Sequence, residues 1–342
     1  MLIHDVLGIE APIIQAPMAG IQGSAMAIAV SNAGGLGSLP CAMLSPDELR
    51  SELSAIKSGT HKPVNLNFFA HTPPTPNPQR EQAWQQSLAP YYREFDIDPA
   101  SIATGAGRTP FNAETAALVE EFRPAVVSFH FGLPEAPLLN RVKATGAKVL
   151  STATTLEEAL WLQQHGADGV IAQGLEAGGH RGHFLSTDLS KQMGTFALVP
   201  QMVKALYIPV IAAGGIADAR GVMAALDLGA AGVQIGTAFM LCPEANTRPV
   251  HRDALKVGAA HTVITNLFSG GAARGIMNRI IRELGPMSAS APEFPLASSA
   301  LAPLRAAAEA KGLGDFSPLW SGQNASGCQE IEAATLLKSL YK

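Results

Sequence analysis

The sequence predicts an α/β fold, a (β/α)8 barrel joined to a smaller, mainly helical second domain. Three observations predict it. Eight short apolar runs recur along the chain, with helix-like segments between them. The runs are uninterrupted rather than alternating, as strands buried on both faces should be. Glycine-rich or polar segments follow many of the runs, which favours a barrel over an open doubly wound sheet with one switch point.

Ile13-Ile14-Gln15-Ala16-Pro17-Met18 is the first run, followed by a helix from Ser24 to Asn32 that Ala33-Gly34-Gly35 closes. Leu36 to Leu39 is the second strand. Ser45-Pro46-Asp47-Glu48 then supplies an N-cap, a proline in the first turn and two acids at the positive end of the helix dipole. Val64 to Phe69, Ala125 to Phe131 and Lys148 to Thr152 are strands three to five, and Thr155 to His165 is a helix. Gly169 to Ala172 is strand six, Pro209 to Ala213 strand seven, Asp218 to Leu228 a helix, and Gly232 to Phe239 strand eight.

Two segments fall outside this repeat. His71 to Asn112 is rich in proline and polar residues and is long for a βα loop, so an insertion at about 71–112 is expected as a lid or extra element. The barrel is expected over 1–240 and a helical capping domain over 241–315. A C-terminal segment over 316–342 is expected to return to the barrel. Within the tail, His251 to Gly258, Arg274 to Leu284, Ala300 to Lys311 and Glu330 to Leu340 read as helices.

The chain has 342 residues, 47% hydrophobic and 15% charged, which suits a well-buried globular protein and argues against disorder. A net charge of −4 offers no basic face for nucleic acid. The 3 cysteines (Cys41, Cys242 and Cys328) are far apart and have no CxxC spacing, which argues against disulfides or zinc. MLIHDVLGIE lacks the regions of a signal peptide, and no apolar stretch reaches the roughly 20 residues that cross a bilayer. A soluble cytoplasmic protein is expected, without nucleic-acid or membrane partners, as a monomer or homodimer.

Chemistry concentrates in the loop Gln173-Gly174-Leu175-Glu176-Ala177-Gly178-Gly179-His180-Arg181-Gly182, after strand six. Its glycines let the backbone approach a ligand, and one imidazole, one guanidinium and one carboxylate sit among them. Gly214-Gly215 ends strand seven, and Gln234-Ile235-Gly236-Thr237 ends strand eight. In such barrels the loops after strands seven and eight commonly bind phosphate through bare backbone amides. A single glycine pair would read as a tight turn; two at consecutive units point to phosphate. Neither GxxxxGK[ST] nor GxGxxG in a strand-turn-helix context occurs, which excludes an NTPase loop and argues against a Rossmann site.

Pro17 and Met18 end strand one, where a soft thioether suits the face of a flat aromatic group. Asn65 and Asn67 point to one side of strand three. An amide there either binds a heterocycle's carbonyl and N–H together or is satisfied by backbone, and the sequence leaves both open. His130 and His180 fall at the same rim, after strands four and six, and can act as base, acid or donor. No histidine pair has metal-ligand spacing, so no metal is expected.

The motifs PIIQAPMAG, NLNFFAH, AQGLEAGGHRG, AAGGIADARG and GTAFMLCPE occur in this order. Through them the chain resembles the bacterial nitronate monooxygenases, formerly 2-nitropropane dioxygenases, along most of its length. The resemblance implies FMN, with its phosphate on the loops at Gly215 and at Gln234, Gly236 and Thr237, and with Gly214 also at the cofactor. It implies flavin contacts from Ala16, Pro17, Met18, Asn67, Gln173, Gly178 and Gly179, and His180 as the catalytic residue. His130, His71, Phe294 and Ser298 are expected around the substrate. The implied reaction takes an alkyl nitronate and O2 to a carbonyl compound and nitrite through a flavin semiquinone, without a nicotinamide cofactor. In that reading a cationic or hydrogen-bonding His180 holds the nitro group.

One segment departs from the resemblance. Members acting on propionate 3-nitronate carry a tyrosine-rich stretch ending in lysine, where this chain has Phe294, Ser298 and Ala302. Arg108 or Arg274 is the candidate to compensate. The alternative reading is an NAD(P)H-dependent reductase of quinones or enoyl thioesters on the same barrel.

Overall fold

Uninterrupted apolar runs should pair in parallel and bury both faces, and they do. The computed structural model describes residues 3–102, 108–258 and 261–341, so residues 103–107 of the expected insertion lie outside the described residues. In chain order the strands are β1 (Ile13–Gln15), β2 (Gly37–Pro40), β3 (Val64–Phe69), β4 (Val126–His130), β5 (Lys148–Ala153) and β6 (Gly169–Gln173). Then follow β7 (Gly179–His180), β8 (Val210–Ala213), β9 (Gly232–Ile235), β10 (Thr262–Thr265) and β11 (Ala273–Ile276). Eight of them form one parallel sheet in the order β1-β9-β8-β6-β5-β4-β3-β2. A parallel bridge between Ile14 and Leu36 closes it into a barrel. Gln15 N donates to Leu36 O, and Leu36 N to Ile13 O, each at 2.9 Å.

The lumen is filled by Ile14, Leu36, Val126, Leu150, Ile171 and Ile211, each at most 2% exposed. The helix Ile3–Leu7 stoppers the end where the strands begin, adding Ile3 and Leu7 to that cluster. A second layer packs the helices onto the outside of the sheet. The helix Pro46–Gly59 begins as the sequence predicts: Ser45 accepts from Glu48 N while the Glu48 carboxylate accepts from Ser45 N. Asp218 caps the helix Ala219–Asp227 by accepting from Gly221 N at 2.8 Å.

The insertion contributes the helix Pro78–Glu94, whose Trp84, Leu88, Tyr91 and Tyr92 are buried. These pack with Ala297, Ala300, Leu301 and Leu304 of the tail. Trp84 Nε1 donates to Ala297 O at 3.2 Å and Tyr92 Oη to Ala300 O at 2.7 Å. The extra element is therefore one apolar cluster built from two distant stretches. The helix Ala333–Leu340 returns to the barrel, burying Leu336, Leu337 and Leu340 beside Val30 and Val222.

Three element readings need correction. Arg274 to Leu284 is not one helix. Ala273–Ile276 is β11, antiparallel to β10 and β7, and the helix is only Arg279–Leu284. The extended chain there carries Arg274 inward to donate from Nε to Leu175 O at 2.8 Å. Strand eight stops at Ile235; the apolar run continues as a 3-10 turn over Thr237–Leu241 with Ala238 to Leu241 buried. Strand one stops at Gln15, because Pro17 has no N–H to continue the ladder. Among the described residues no helix is long and apolar enough to cross a membrane.

Candidate active site

Parallel strands in register bring their last residues to one rim. Gln173 pairs with Ala213, and Ala213 with Gln234, so three consecutive strands end level. At this rim lies a cavity lined by Ala16, Pro17, Met18, Asn67, His130, Gln173, Gly178, Gly179, His180, Gly214, Gly215, Gln234, Gly236 and Thr237. Three residues expected at the substrate do not line it. His71 Nε2 donates to Arg108 O at 3.1 Å and the ring packs on Phe294, centroids 5.0 Å apart. Phe294 stands against His180, centroids 5.1 Å apart. Ser298 donates to Pro295 O at 2.9 Å at the start of the helix Ser298–Glu309, so its one hydroxyl proton is already used.

His180 is placed by β7, which pairs with β11 so that His180 lies opposite Ala273. Its Nε2 is 2.7 Å from Ser269 Oγ, a residue that no sequence motif singles out. Its carbonyl accepts from Gln173 Nε2 at 2.9 Å and from His130 Nε2 at 3.1 Å. A carbonyl only accepts, so His130 carries its proton on Nε2, and Nδ1 accepts from Thr152 Oγ1 at 3.1 Å. Burial pushes the His130 pKa down to about 4 and holds His180 well below the ordinary histidine value, with Arg108 and the neighbouring imidazoles acting in the same direction. Both rings are neutral near pH 7. Of the cationic or hydrogen-bonding His180 that the resemblance implies, the hydrogen-bonding form is the one that suits this burial.

The loop carrying His180 is braced by two charges. Arg181 is fully buried and donates to Gln192 Oε1, Gly174 O and Gln173 O, each at 2.8 Å. No carboxylate partners it within 4.0 Å among the described residues, and burial lowers its pKa to about 10. The Glu176 carboxylate accepts from Thr195 N and Thr195 Oγ1 at 2.8 and 2.9 Å, capping the helix Thr195–Ala205 from outside. Gly174 leaves room for this: a Cβ there would lie 2.0 Å from Thr195 Oγ1.

Elsewhere on the cavity lining the backbone is bare. Gly214 and Gly215 have φ of 119° and 74°, in the region that favours glycine. The amides of Gly214, Gly215, Gly236 and Thr237 donate to no acceptor among the described residues. Gln234 also lines the cavity, and its Oε1 is buried without a partner. Asn67 donates to Ser128 Oγ at 2.9 Å, whereas Asn65 lies deeper, donates to Ser38 Oγ at 3.0 Å and leaves Oδ1 unpartnered.

The tail supplies a strap that sequence patterning gives no sign of. Trp320, Ser321, Gly322 and Asn324 line the cavity. The strap is tied by Gly322 N to Thr237 Oγ1 at 2.9 Å, Gln323 N to Glu176 O at 2.9 Å and Asn324 Nδ2 to Gly215 O at 3.1 Å. His251 Nε2 donates to Trp320 O at 3.0 Å from outside. The aromatic walls are Phe69 and Trp320, backed by Phe131 and Phe294. Arg108 lines the cavity, while Arg274 is committed to Leu175 O and Thr262 and does not.

Comparison with known proteins agrees with this geometry. The family model described as "Nitronate monooxygenase" matches residues 1–342. The nitronate monooxygenase of Pseudomonas aeruginosa is 44% identical over 341 residues, covering 98% of this chain and 97% of that one. That of Paraburkholderia phytofirmans is 42% identical, covering 98% and 93%. The crystal structure of nitroalkane oxidase from Streptomyces ansochromogenes superposes with a TM-score of 0.90 at 35% identity, covering 99% of this chain and 96% of that one. The chain is an oxidoreductase and belongs to the nitronate monooxygenase family.

Proposed function

We propose that the chain binds FMN and oxidises alkyl nitronates with O2 to a carbonyl compound and nitrite. One observation carries the reading: a single cavity is lined by backbone amides without acceptors, by Gln234 with its buried, unpartnered Oε1 and by His180. The residues fit the cofactor. The amides of Gly214, Gly215, Gly236 and Thr237 would hold its phosphate, since bare N–H groups are anion donors. Gln234 Oε1 would accept from an N–H of the ring. Gly179, at φ 72° with no atom within 4 Å of a built Cβ, would leave space for the ring. FMN, when bound, supplies the electron acceptor.

The chain's own residues do the rest. Met18 and the strap would enclose the cofactor and keep bulk water away. His180 offers a neutral imidazole whose ring is steadied by Ser269 and walled by Phe131, Phe294 and Trp320. It serves as a hydrogen-bond partner for a nitro oxygen and, being unprotonated, as a base for the α-proton of a neutral nitroalkane.

The test is anaerobic mixing of the FMN-loaded protein with propyl 1-nitronate, followed at the flavin bands, and nitrite assay in air. Reduction by the nitronate and nitrite release, with no bleaching by NADPH, are the expected results. Bleaching by NADPH with the nitronate inert would move the chain to the reductases.

A further inference from the structure

Among the described residues, one formally charged side chain lines the cavity. Arg108 is there, and no Asp, Glu or Lys of the described residues joins it. The adjoining residues 103–107 contain no ionisable side chain. The Arg108 guanidinium makes no hydrogen bond and has no carboxylate within 4.0 Å among the described residues. It lies over two aromatic faces instead, 5.9 Å from the Phe69 centroid and 5.5 Å from that of Phe294. Phe294 in turn touches His180, so the free cation sits one ring away from the imidazole.

A desolvated cation without a counter-charge is costly, and aromatic faces offset only part of that cost. The remaining attraction is available to a ligand. A guanidinium fork matches a planar group with two oxygens, whether carboxylate or nitronate, by paired N–H donors. Around it the walls are hydrocarbon: Phe69, Trp320 and, behind them, Phe131 and Phe294. The three imidazoles nearby add no positive charge, because burial lowers the pKa of His71, His130 and His180 alike.

Building on the nitronate reading, we infer that Arg108 is the specificity-determining residue that pairs with the anionic head of the substrate, and that the site selects monoanions with an apolar or aromatic body. One cation neutralises one charge. A ligand with a second carboxylate would leave a net negative charge against aromatic walls that offer no second cation. The recognised substrate class is therefore nitronates of plain alkyl or aryl chains rather than nitronates bearing an acid.

The experiment is calorimetric titration of the FMN-loaded protein with benzoate, with benzamide as its uncharged counterpart and terephthalate as its dianion. Wild type is expected to bind benzoate best. Arg108→Gln should weaken benzoate about ten- to hundredfold, leave benzamide unchanged, and raise the KM for propyl 1-nitronate by a similar factor. Arg108→Lys should restore part of the loss, and the flavin content of both variants reports that they fold. Equal benzoate affinity in Arg108→Gln, an equal loss of benzamide, or terephthalate binding as tightly as benzoate overturns the inference. Should wild type release no nitrite from any nitronate while Arg108→Gln still loses benzoate, the oxidase reading falls and the anion site stands. Nitrite release with an unchanged KM in Arg108→Gln means the opposite: the oxidase reading stands and the role of Arg108 falls.

Discussion

Ser269 Oγ and His180 Nε2 stand 2.7 Å apart across 89 residues of sequence, joining the tail to the glycine-rich loop. This contact fixes the imidazole plane at the cavity. Removing one such hydrogen bond costs about 0.5–1.5 kcal/mol. Ser269→Ala should therefore lower kcat/KM for a nitronate about two- to tenfold while FMN content stays constant. Steady-state nitrite assays beside flavin-to-protein ratios check it, and an unchanged kcat/KM would remove Ser269 from the site's design.

Gly178 is a position where space rather than conformation decides. A Cβ there would fall 2.5 Å from Gly322 N and 2.6 Å from the Ser321 carbonyl carbon, both backbone atoms. Gly178→Ala should push the strap outward at a cost of about 1–3 kcal/mol. The expected result is weaker FMN retention on gel filtration and faster proteolysis near 320–324. Wild-type retention would show that the strap adjusts without loss.

Acid should destabilise the fold through its buried histidines. Burial lowers His130 and His251 to about 4. Between pH 6.5 and 4 the unfolded chain binds a proton at each position that the native state refuses. Stability is thus complete above about pH 6.5 and falls by about 1.4 kcal/mol per pH unit for each group on the way down to about pH 4. Urea midpoints measured from about pH 7.5 to 4.5 test this against a His251→Gln variant, which should show a shallower fall.

The same depressed values predict how activity responds. With His130 lowered to about 4 and His180 held well below the ordinary histidine value, kcat/KM for a preformed nitronate should be level from about pH 7 to 8. A decline across that range would mean that a protonated imidazole binds the substrate.

Trp84 tests the insertion. It is 1% exposed and its indole N–H reaches Ala297 O. Trp84→Ala should cost about 3–5 kcal/mol of stability. Because it lies outside the cavity, benzoate affinity of the remaining folded protein should stay as in wild type.

Legibility in the sequence follows the distance over which each feature is determined. β3 and the helix Ser24–Asn32 have the bounds that the apolar runs and flanking glycines predict, since local burial and capping decide them. The eighth strand reads too long in the sequence because an apolar run ending in Leu241 looks the same whether it continues a strand or turns as a 3-10 helix. β11 reads as helix because its four residues are extended only through pairing with β10 and β7. The residues brought together at the rim are legible as glycine-rich strand ends. Ser269, Trp320 and Asn324 are not: they reach the cavity from loops of the tail, where no periodicity marks a residue that points inward. Resemblance alone sets Ser298 near the substrate; in the structure its hydroxyl donates to Pro295 O at a helix start, outside the cavity lining.

The strap also sets an order of events in biosynthesis. Every barrel strand precedes residue 236, yet the wall that closes the cavity arrives only with Trp320 to Asn324. The residues of all eight barrel strands are therefore made long before those that close the cavity. Cofactor capture becomes a late step, and a chain cut short of Asn324 would lack both this wall and the helix Ala333–Leu340 that packs on the barrel.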